Sequence, residues 1–152
     1  MPVAYRIRTA THQDVDIIVD FNLNMAMETE RIALDHDTVL HGVNQVITDP
    51  SKGIYFVAVD ESDGSVLGQT MVTYEWSDWR NSNIWWVQSV YVRPPSRRQG
   101  VFRALYSHVK EMAKTSGACG VRLYADRQNE SALATYRKLG MTSHYVVLED
   151  MF

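Results

Sequence analysis

The sequence predicts a mixed α/β domain in which helices cover both faces of one central sheet. Short stretches of alternating or continuous apolar residues recur along the chain and are typical of strands. Between them lie longer segments whose apolar residues recur every three or four positions, as in amphipathic helices. The 152 residues, 45% of them hydrophobic and 22% charged, can bury the core of one domain, which we expect to span residues 1–152.

The chain begins with a predicted strand and two helices. Polar and apolar residues alternate over residues 4–9, which predicts a strand. Thr11 and Asp14 have the spacing of a helix-capping pair. Residues at helical spacing then predict the buried face of the first helix, namely Val15, Ile18, Val19 and Leu23. A second helix is expected to follow Asp35 or Asp37.

The middle of the chain predicts three strands. Residues 54–59 and 66–75 flank the turn DESDGS, so we expect them to form an antiparallel hairpin. The polar loop SDWRNSN leads into a strand over residues 84–92, and the pair Pro94-Pro95 ends it.

The last third predicts helix, strand, helix and strand. Phe102 and Leu105 begin a helical apolar pattern, and residues 121–124 form a strand. A short helix begins at Asn129 and is closed by Gly140, and residues 145–148 form a final strand. The predicted order is therefore β-α-α-β-β-β-α-β-α-β, an α+β arrangement whose crossover section contains a parallel pair.

Composition excludes several classes of function. The net charge of −3 disfavours a general nucleic-acid-binding surface, and a single cysteine excludes an internal disulfide or a multi-cysteine zinc site. The histidines show no metal-ligand spacing. No apolar run reaches the ~20 residues of a membrane span, and the N-terminus lacks a signal-peptide core, so we expect a cytoplasmic protein without membrane or metal.

The segment SRRQGVF at residues 96–102 lies between a strand and a helix. The N-terminus of a helix presents unpaired N–H groups and the positive end of a dipole. A glycine and two arginines at this position, Arg97 and Arg98, predict a binding site for an anion. The alternative is a solvated turn.

Two motifs resemble those of the GNAT acyltransferase superfamily. SVYVRP followed by RRQGVF and RALYSHV resembles its acetyl-CoA-binding motif, which falls on Arg97, Gly100 and Phe102. NESALATYRKLGM, at residues 129–141, resembles its second motif. Phe102 departs from the small residue usual at its position, so it either points into the core or narrows the phosphate site.

The resemblance implies a GNAT-like, mostly antiparallel sheet and an acetyl-CoA site. The pantetheine arm is expected to bond to the main chain of residues 90–92 like an added strand, with the Val90 N–H polarising the thioester carbonyl. Tyr136 is expected to protonate the leaving thiolate, the alternative being a core tyrosine. The residues expected to contact the cofactor are Val90, Tyr91, Val92, Arg97, Arg98, Gln99, Gly100, Val101, Phe102, Arg103, Asn129, Ala132 and Tyr136.

The acceptor amine must also lose a proton. Relatives often place a base on the central strand at positions that match Trp86 and Gln88, and neither residue is a base. Removal through water to a carboxylate is therefore expected, with Glu75, Glu28, Glu30 and Asp78 as candidates. The acceptor is expected to contact Glu28, Glu30, Trp86 and Gln88.

The resulting prediction is an N-acetyltransferase acting by direct attack in a ternary complex. The acceptor would be a small-molecule or lysine-like amine. A catalytically silent CoA-binding module and a protein-interaction domain remain alternatives. All four tryptophans fall within WSDWRNSNIWW, at residues 76–86. Three roles fit this cluster: aromatic rings that contact the acceptor amine, a homodimer interface, or core packing.

Overall fold

A computed structural model describes residues 3–152. Its helices and strands, in chain order, are β1 (Tyr5–Thr9), α1 (Val15–Glu30), α2 (His36–Thr48), β2 (Ile54–Asp60), β3 (Val66–Ser77), β4 (Ser82–Val92), α3 (Val101–Thr115), β5 (Gly120–Leu123) and α4 (Glu130–Lys138). The predicted order is confirmed as far as α4. Within these residues no helix has the length and apolar character needed to cross a membrane.

One five-stranded sheet has the order β1-β2-β3-β4-β5. The first four strands pair as antiparallel neighbours, which confirms the predicted hairpin and the mostly antiparallel sheet. Helix α3 connects β4 to β5. The Cys119 N–H donates to the Asn83 carbonyl over 2.9 Å, so β5 begins beside the start of β4, as a crossover connection requires.

The contacts of the chain divide it into two compact units. One ends at Arg122 and contains the sheet with α1, α2 and α3; the other, Leu123–Phe152, contains α4. The expectation of one domain over residues 1–152 stays a prediction.

The predicted capping pair, Thr11 and Asp14, caps the short 3-10 turn (His12–Asp14) that leads into α1. The Asp14 carboxylate accepts from the Thr11 N–H at 2.7 Å, and the Thr11 hydroxyl accepts from the Gln13 N–H at 3.3 Å. Arg8 on β1 binds both carboxylate oxygens of Asp14, at 2.7 and 3.0 Å. Burial opposes ionisation of Asp14, but these bonds outweigh it and lower the pKa of the carboxyl.

Helices pack on both faces of the sheet. On one face α1 and α2 cover the strands through a buried cluster made of Ala10, Val15, Ile18, Val19, Val43, Tyr55, Val57 and Val59. On the other face α3 packs through Val101 and Leu105 against Ala58 and Leu67. We call these surfaces the α1 face and the α3 face.

The β3–β4 hairpin is longer than predicted. Trp76 pairs with Asn83 and Ser77 with Ser82, so both strands extend into the segment expected to be a loop. Only residues 78–81 remain as the turn, in which Asn81 has a φ of 49°. The polar composition of this segment disfavours a strand. The strand forms nevertheless, because β3 and β4 satisfy the backbone N–H and C=O groups of each other here.

The predicted final strand at residues 145–148 is wrong. These residues have no strand assignment, and Tyr145, Val146, Val147 and Leu148 are exposed. An alternating apolar pattern becomes a strand only when its N–H and C=O groups pair with a neighbouring strand. Within the described residues, no strand pairing is assigned to Val146, Val147 and Leu148.

Candidate functional site

The turn between β4 and α3 presents the uncapped N-terminus of a fifteen-residue helix. Gly100 is the N-cap residue, has a φ of 82°, and no side chain caps the helix there. The first helical bond runs from the Ala104 N–H to the Gly100 carbonyl, so the preceding N–H groups point outward. A methyl group placed on Gly100 would meet the Tyr5 hydroxyl at 3.5 Å, an ordinary contact, so the backbone conformation rather than crowding requires glycine.

Side chains of the turn itself hold it in shape. Ser96 is buried and its hydroxyl accepts from Arg93 Nε at 2.9 Å. Gln99 donates to the Pro95 carbonyl at 3.1 Å. Arg98, with a φ of 64°, and Arg103 are exposed beside the helix N-terminus. The turn therefore combines outward N–H groups with two solvent-facing cations, which suits a phosphate group.

Val101, rather than Phe102, supplies the core residue of the first turn of α3. Val101, Leu105 and Val109 are 1%, 0% and 0% exposed, whereas Phe102 is half-buried. The sequence left open whether Phe102 points into the core. The fully buried face of α3 therefore begins at Val101, one residue before the Phe102 at which the sequence pattern placed it.

The second half of β4 extends past the end of β5. The β3–β4 register shifts between Met71 and Val72, so Gln88 is an extra, bulged residue on β4. After it, the Arg93 N–H donates to the Leu67 carbonyl on the β3 side. Because successive residues alternate, the N–H and C=O groups of Val90 and Val92 point to the opposite side, beyond the four-residue β5.

Arg97 is held against the end of β4 by three contacts. Its Nε donates to the Val92 carbonyl at 2.8 Å, and its Nη2 lies 2.7 Å from Glu28 Oε2. Its guanidinium carbon lies 5.4 Å from the centre of the Tyr91 ring. The Tyr91 hydroxyl donates to Glu28 Oε1 at 3.1 Å. The pKa of this hydroxyl is raised, mainly by burial and secondly by the neighbouring Glu28 carboxylate. We call Glu28, Tyr91 and Arg97 the Arg97 cluster.

Several predicted acceptor residues share the α1 face. Gln69, buried on β3, donates to Asn22 of α1, which assigns this face to the odd-numbered residues of β3 from Gln69 onward, after the bulge at Leu67. Thr73 and Glu75 therefore lie on it, with Trp86 paired to Thr73 and Gln88 donating to the Thr73 hydroxyl at 2.7 Å.

Two of the four carboxylates that the sequence predicts as candidate bases form ion pairs with arginines. Glu75 is paired with Arg122 of β5 at 2.6 Å, as Glu28 is with Arg97. Glu30 is the exposed last residue of α1, and the exposed Asp78 accepts from the Trp79 N–H in the hairpin turn. No local sequence pattern indicates the pairing of Glu75 with Arg122, because the pairing depends on β4 lying between β3 and β5.

The second unit places three predicted residues on one short helix. Asn129 is the N-cap of α4, and its side chain accepts from the Ala132 N–H at 3.2 Å. Tyr136 lies one turn beyond Ala132 and is half-buried. Gly140 follows the helix with a φ of 89°, so both predicted ends of α4 are confirmed.

The tryptophan cluster divides between core and surface. Trp85 is 4% exposed and packs edge-on against Tyr74, with ring centres 5.7 Å apart, while Trp76 and Trp79 are 62% and 88% exposed. A cavity of about 530 Å³ lies beside Trp76 and Trp85 at the C-terminal end of α3, the opposite end of that helix from Gly100. Among residues 3–152, no three histidine, cysteine or acidic side chains are grouped as metal ligands.

A family profile and a solved structure both relate the chain to acetyltransferases. The sequence profile of the acetyltransferase (GNAT) family matches residues 21–141. A crystal structure of a possible acetyltransferase from Clostridium difficile 630 is 41% identical, with 97% of each chain covered and a TM-score of 0.90.

Curated relatives match over part of their length. Thialysine N-epsilon-acetyltransferase of Bos taurus is 31% identical over 75 residues, which is 49% of this chain and 44% of that protein. Mycothiol acetyltransferase of Mycolicibacterium gilvum is 26% identical over 146 residues, which is 90% of this chain and 46% of that protein. The chain thus spans about half the length of the curated relatives it matches.

Proposed function

The chain belongs to the acetyltransferase (GNAT) family, and we propose that it transfers an acetyl group from acetyl-CoA to a primary amine. Residues 1–152 would act as one catalytic domain, and the amine would attack directly in a ternary complex. The observation that carries the proposal is the uncapped α3 N-terminus at Gly100, which the turn over residues 93–100 connects to a β4 edge with outward backbone groups.

The residues of the turn fit a pyrophosphate. Backbone N–H groups from about residue 98 to residue 103, at the start of α3, would bind its oxygens, and the exposed Arg98 and Arg103 would add charge. Gln99 would stabilise the turn, because its side-chain amide donates to the Pro95 carbonyl.

The edge of β4 fits the pantetheine arm. Val90 and Val92 direct their backbone groups to the side on which β4 extends beyond β5, where an extended amide chain can bond as an added strand. The bound cofactor would supply the acetyl thioester. The Val90 N–H would donate to the developing charge on the thioester oxygen. The family resemblance also implies cofactor contacts by Asn129 and Ala132, at the start of α4.

Proton transfers would accompany the exchange. The amine nitrogen forms a bond to the acetyl carbon as the carbon–sulfur bond breaks, so the sulfur leaves as a thiolate. The Tyr136 hydroxyl would give it a proton and would take up in exchange the proton that the nitrogen loses as the amide forms, so the phenol is restored. The amine arrives as a cation, since its pKa is about 10.4, and must lose a proton first. Glu75 would receive it through water, because it lies on the same face as Trp86 and Gln88.

The acceptor would be a cationic small molecule or a lysine-like amine. Carboxylates on or beside the α1 face, namely Glu28, Glu30 and Glu75, would favour a positive charge. A relative named for thialysine acetylation supports an amino-acid-like amine as the first class to test.

Calorimetric titration with acetyl-CoA tests the proposal. We expect saturable micromolar binding, with desulfo-CoA binding similarly and ATP not binding. Amine panels would then be screened for release of free CoA thiol. A wild-type protein that does not bind acetyl-CoA would overturn the proposed function.

A catalytically silent CoA-binding module is the second candidate. It is favoured by the ion pairs of Glu28 and Glu75, which leave both carboxylates already bonded to arginines. Tight CoA binding without turnover on cationic, neutral and peptidyl amines would select this candidate.

A further inference from the structure

Arg97 is the first residue of the motif that resembles a cofactor site, yet its side chain is bonded elsewhere. The guanidinium bonds to the Val92 carbonyl and to the Glu28 carboxylate, and it lies over the Tyr91 ring. Tyr91 faces the α1 face, because its hydroxyl reaches Glu28 near the end of α1. Arg97 therefore points away from the α3 face, on which the helix that follows the turn packs.

Two of these contacts oppose the binding of CoA at this site. The Val92 carbonyl is on the outward edge of β4, where the pantetheine arm would bond, and Arg97 already donates to it. The cation that stands three residues before Gly100 is also neutralised by Glu28 and so contributes little attraction to a phosphate.

The Glu28–Arg97 ion pair can be exchanged at low cost. The two side chains are 42% and 43% exposed, and pairs with such exposure change an equilibrium by about five-fold at most. A doubly charged pyrophosphate offers Arg97 stronger, bidentate bonds. The Glu28–Arg97 ion pair is thus weak enough to break when a phosphate binds at the turn.

We propose that Glu28 is a positioning residue that holds Arg97 away from the cofactor, and that CoA binding transfers Arg97 from Glu28 to the pyrophosphate. The exchange releases the Val92 carbonyl for the pantetheine arm. This inference rests on the proposed CoA site. It assigns Glu28 a role in cofactor affinity that differs from removing a proton from the amine.

The test is a double-mutant cycle measured by calorimetric titration with CoA at fixed ionic strength. Glu28→Gln is expected to bind CoA about three-fold more tightly than wild type, because Arg97 is no longer held back. Arg97→Gln, which keeps a donor for the Val92 carbonyl, is expected to bind about ten-fold more weakly. The double variant is expected to match Arg97→Gln, because Glu28 acts only through Arg97.

A matched variant controls for net charge. Glu111→Gln removes a carboxylate from another exposed pair, with Lys114 near the far end of α3, and is expected to leave CoA affinity unchanged. Unchanged or weaker binding by Glu28→Gln would overturn the inference. Equal tightening in both backgrounds would also overturn it, since the effect would then be through-space repulsion. If wild type does not bind CoA, the proposed function fails and the inference fails with it.

Discussion

Arg122 Nη1 lies 2.6 Å from Glu75 Oε2, so an arginine of β5 and a glutamate of β3 form an ion pair across the intervening strand β4. The two side chains are 33% and 42% exposed. The arginine fixes the carboxylate in place while leaving it in contact with water. A carboxylate held in this way on the α1 face can receive a proton through an ordered water molecule.

Glu75→Gln tests this role. Because positioned general bases contribute about 10²- to 10⁴-fold, we expect kcat/KM for the amine to fall at least about 100-fold. The pH profile of kcat/KM should differ from that of wild type, while CoA affinity stays unchanged. Glu111→Gln is the matched control and should keep the wild-type profile. If neither Glu75→Gln nor the corresponding variants of Glu28, Glu30 and Asp78 change the profile, a carboxylate base is excluded.

Asp14→Asn should destabilise the fold in a pH-dependent way. Asp14 is 4% exposed, accepts from the Thr11 N–H in the capped turn before α1 and binds Arg8, so we expect the free energy of unfolding to fall by about 1–2 kcal/mol at neutral pH. The folded-state pKa of Asp14 is lowered, so its stabilisation is fully present above the unfolded value of about 3.9. It is lost as the pH falls through the lower, folded-state value.

Urea unfolding of wild type and Asp14→Asn at several pH values measures this difference. It should be constant above about pH 5 and should shrink below about pH 4. Asp16→Asn, an exposed change in the same helical turn, should show no comparable loss. A difference that persists undiminished into acid would show that packing, rather than the carboxylate charge, is responsible.

Gly100→Ala should weaken CoA binding as well as stability. The φ of 82° costs an alanine about 1–2 kcal/mol, although its methyl group has room beside Tyr5. We expect a comparable loss in denaturant unfolding and at least ten-fold weaker CoA binding, because the turn must relax where the phosphate would lie. Gly64→Ala, at a φ of 75° with open space around it, is the matched control. It should lose stability and retain CoA affinity.

Local signals were sufficient to predict most elements. The Thr11–Asp14 cap, the Asn129 cap and the glycine after α4 lie within a few residues of the helices they define, so the sequence alone contains the relevant contacts. The two motifs predicted the uncapped turn at Gly100 for the same reason.

Contacts between distant residues were not predicted. Glu28 and Arg97 are 69 residues apart, and Glu75 and Arg122 are 47 apart, so each pair depends on strand register and on helix placement. The wrong strand at residues 145–148 has the same cause, because alternation does not specify a pairing partner. Arg97 was expected to bind phosphate, and the sequence contained nothing to indicate that Glu28 would be its partner.

Tyr136→Phe should separate catalysis from cofactor binding. Removing only the hydroxyl of this half-buried side chain on α4 preserves its ring, so we expect CoA affinity within two-fold of wild type. If Tyr136 protonates the thiolate, kcat should fall about 10²-fold with little change in the KM for acetyl-CoA. Tyr106→Phe, at a buried position of α3, is the matched loss of a hydroxyl and should retain turnover. A parallel fall of CoA affinity and turnover would make Tyr136 a structural residue and leave the thiolate to take its proton from water.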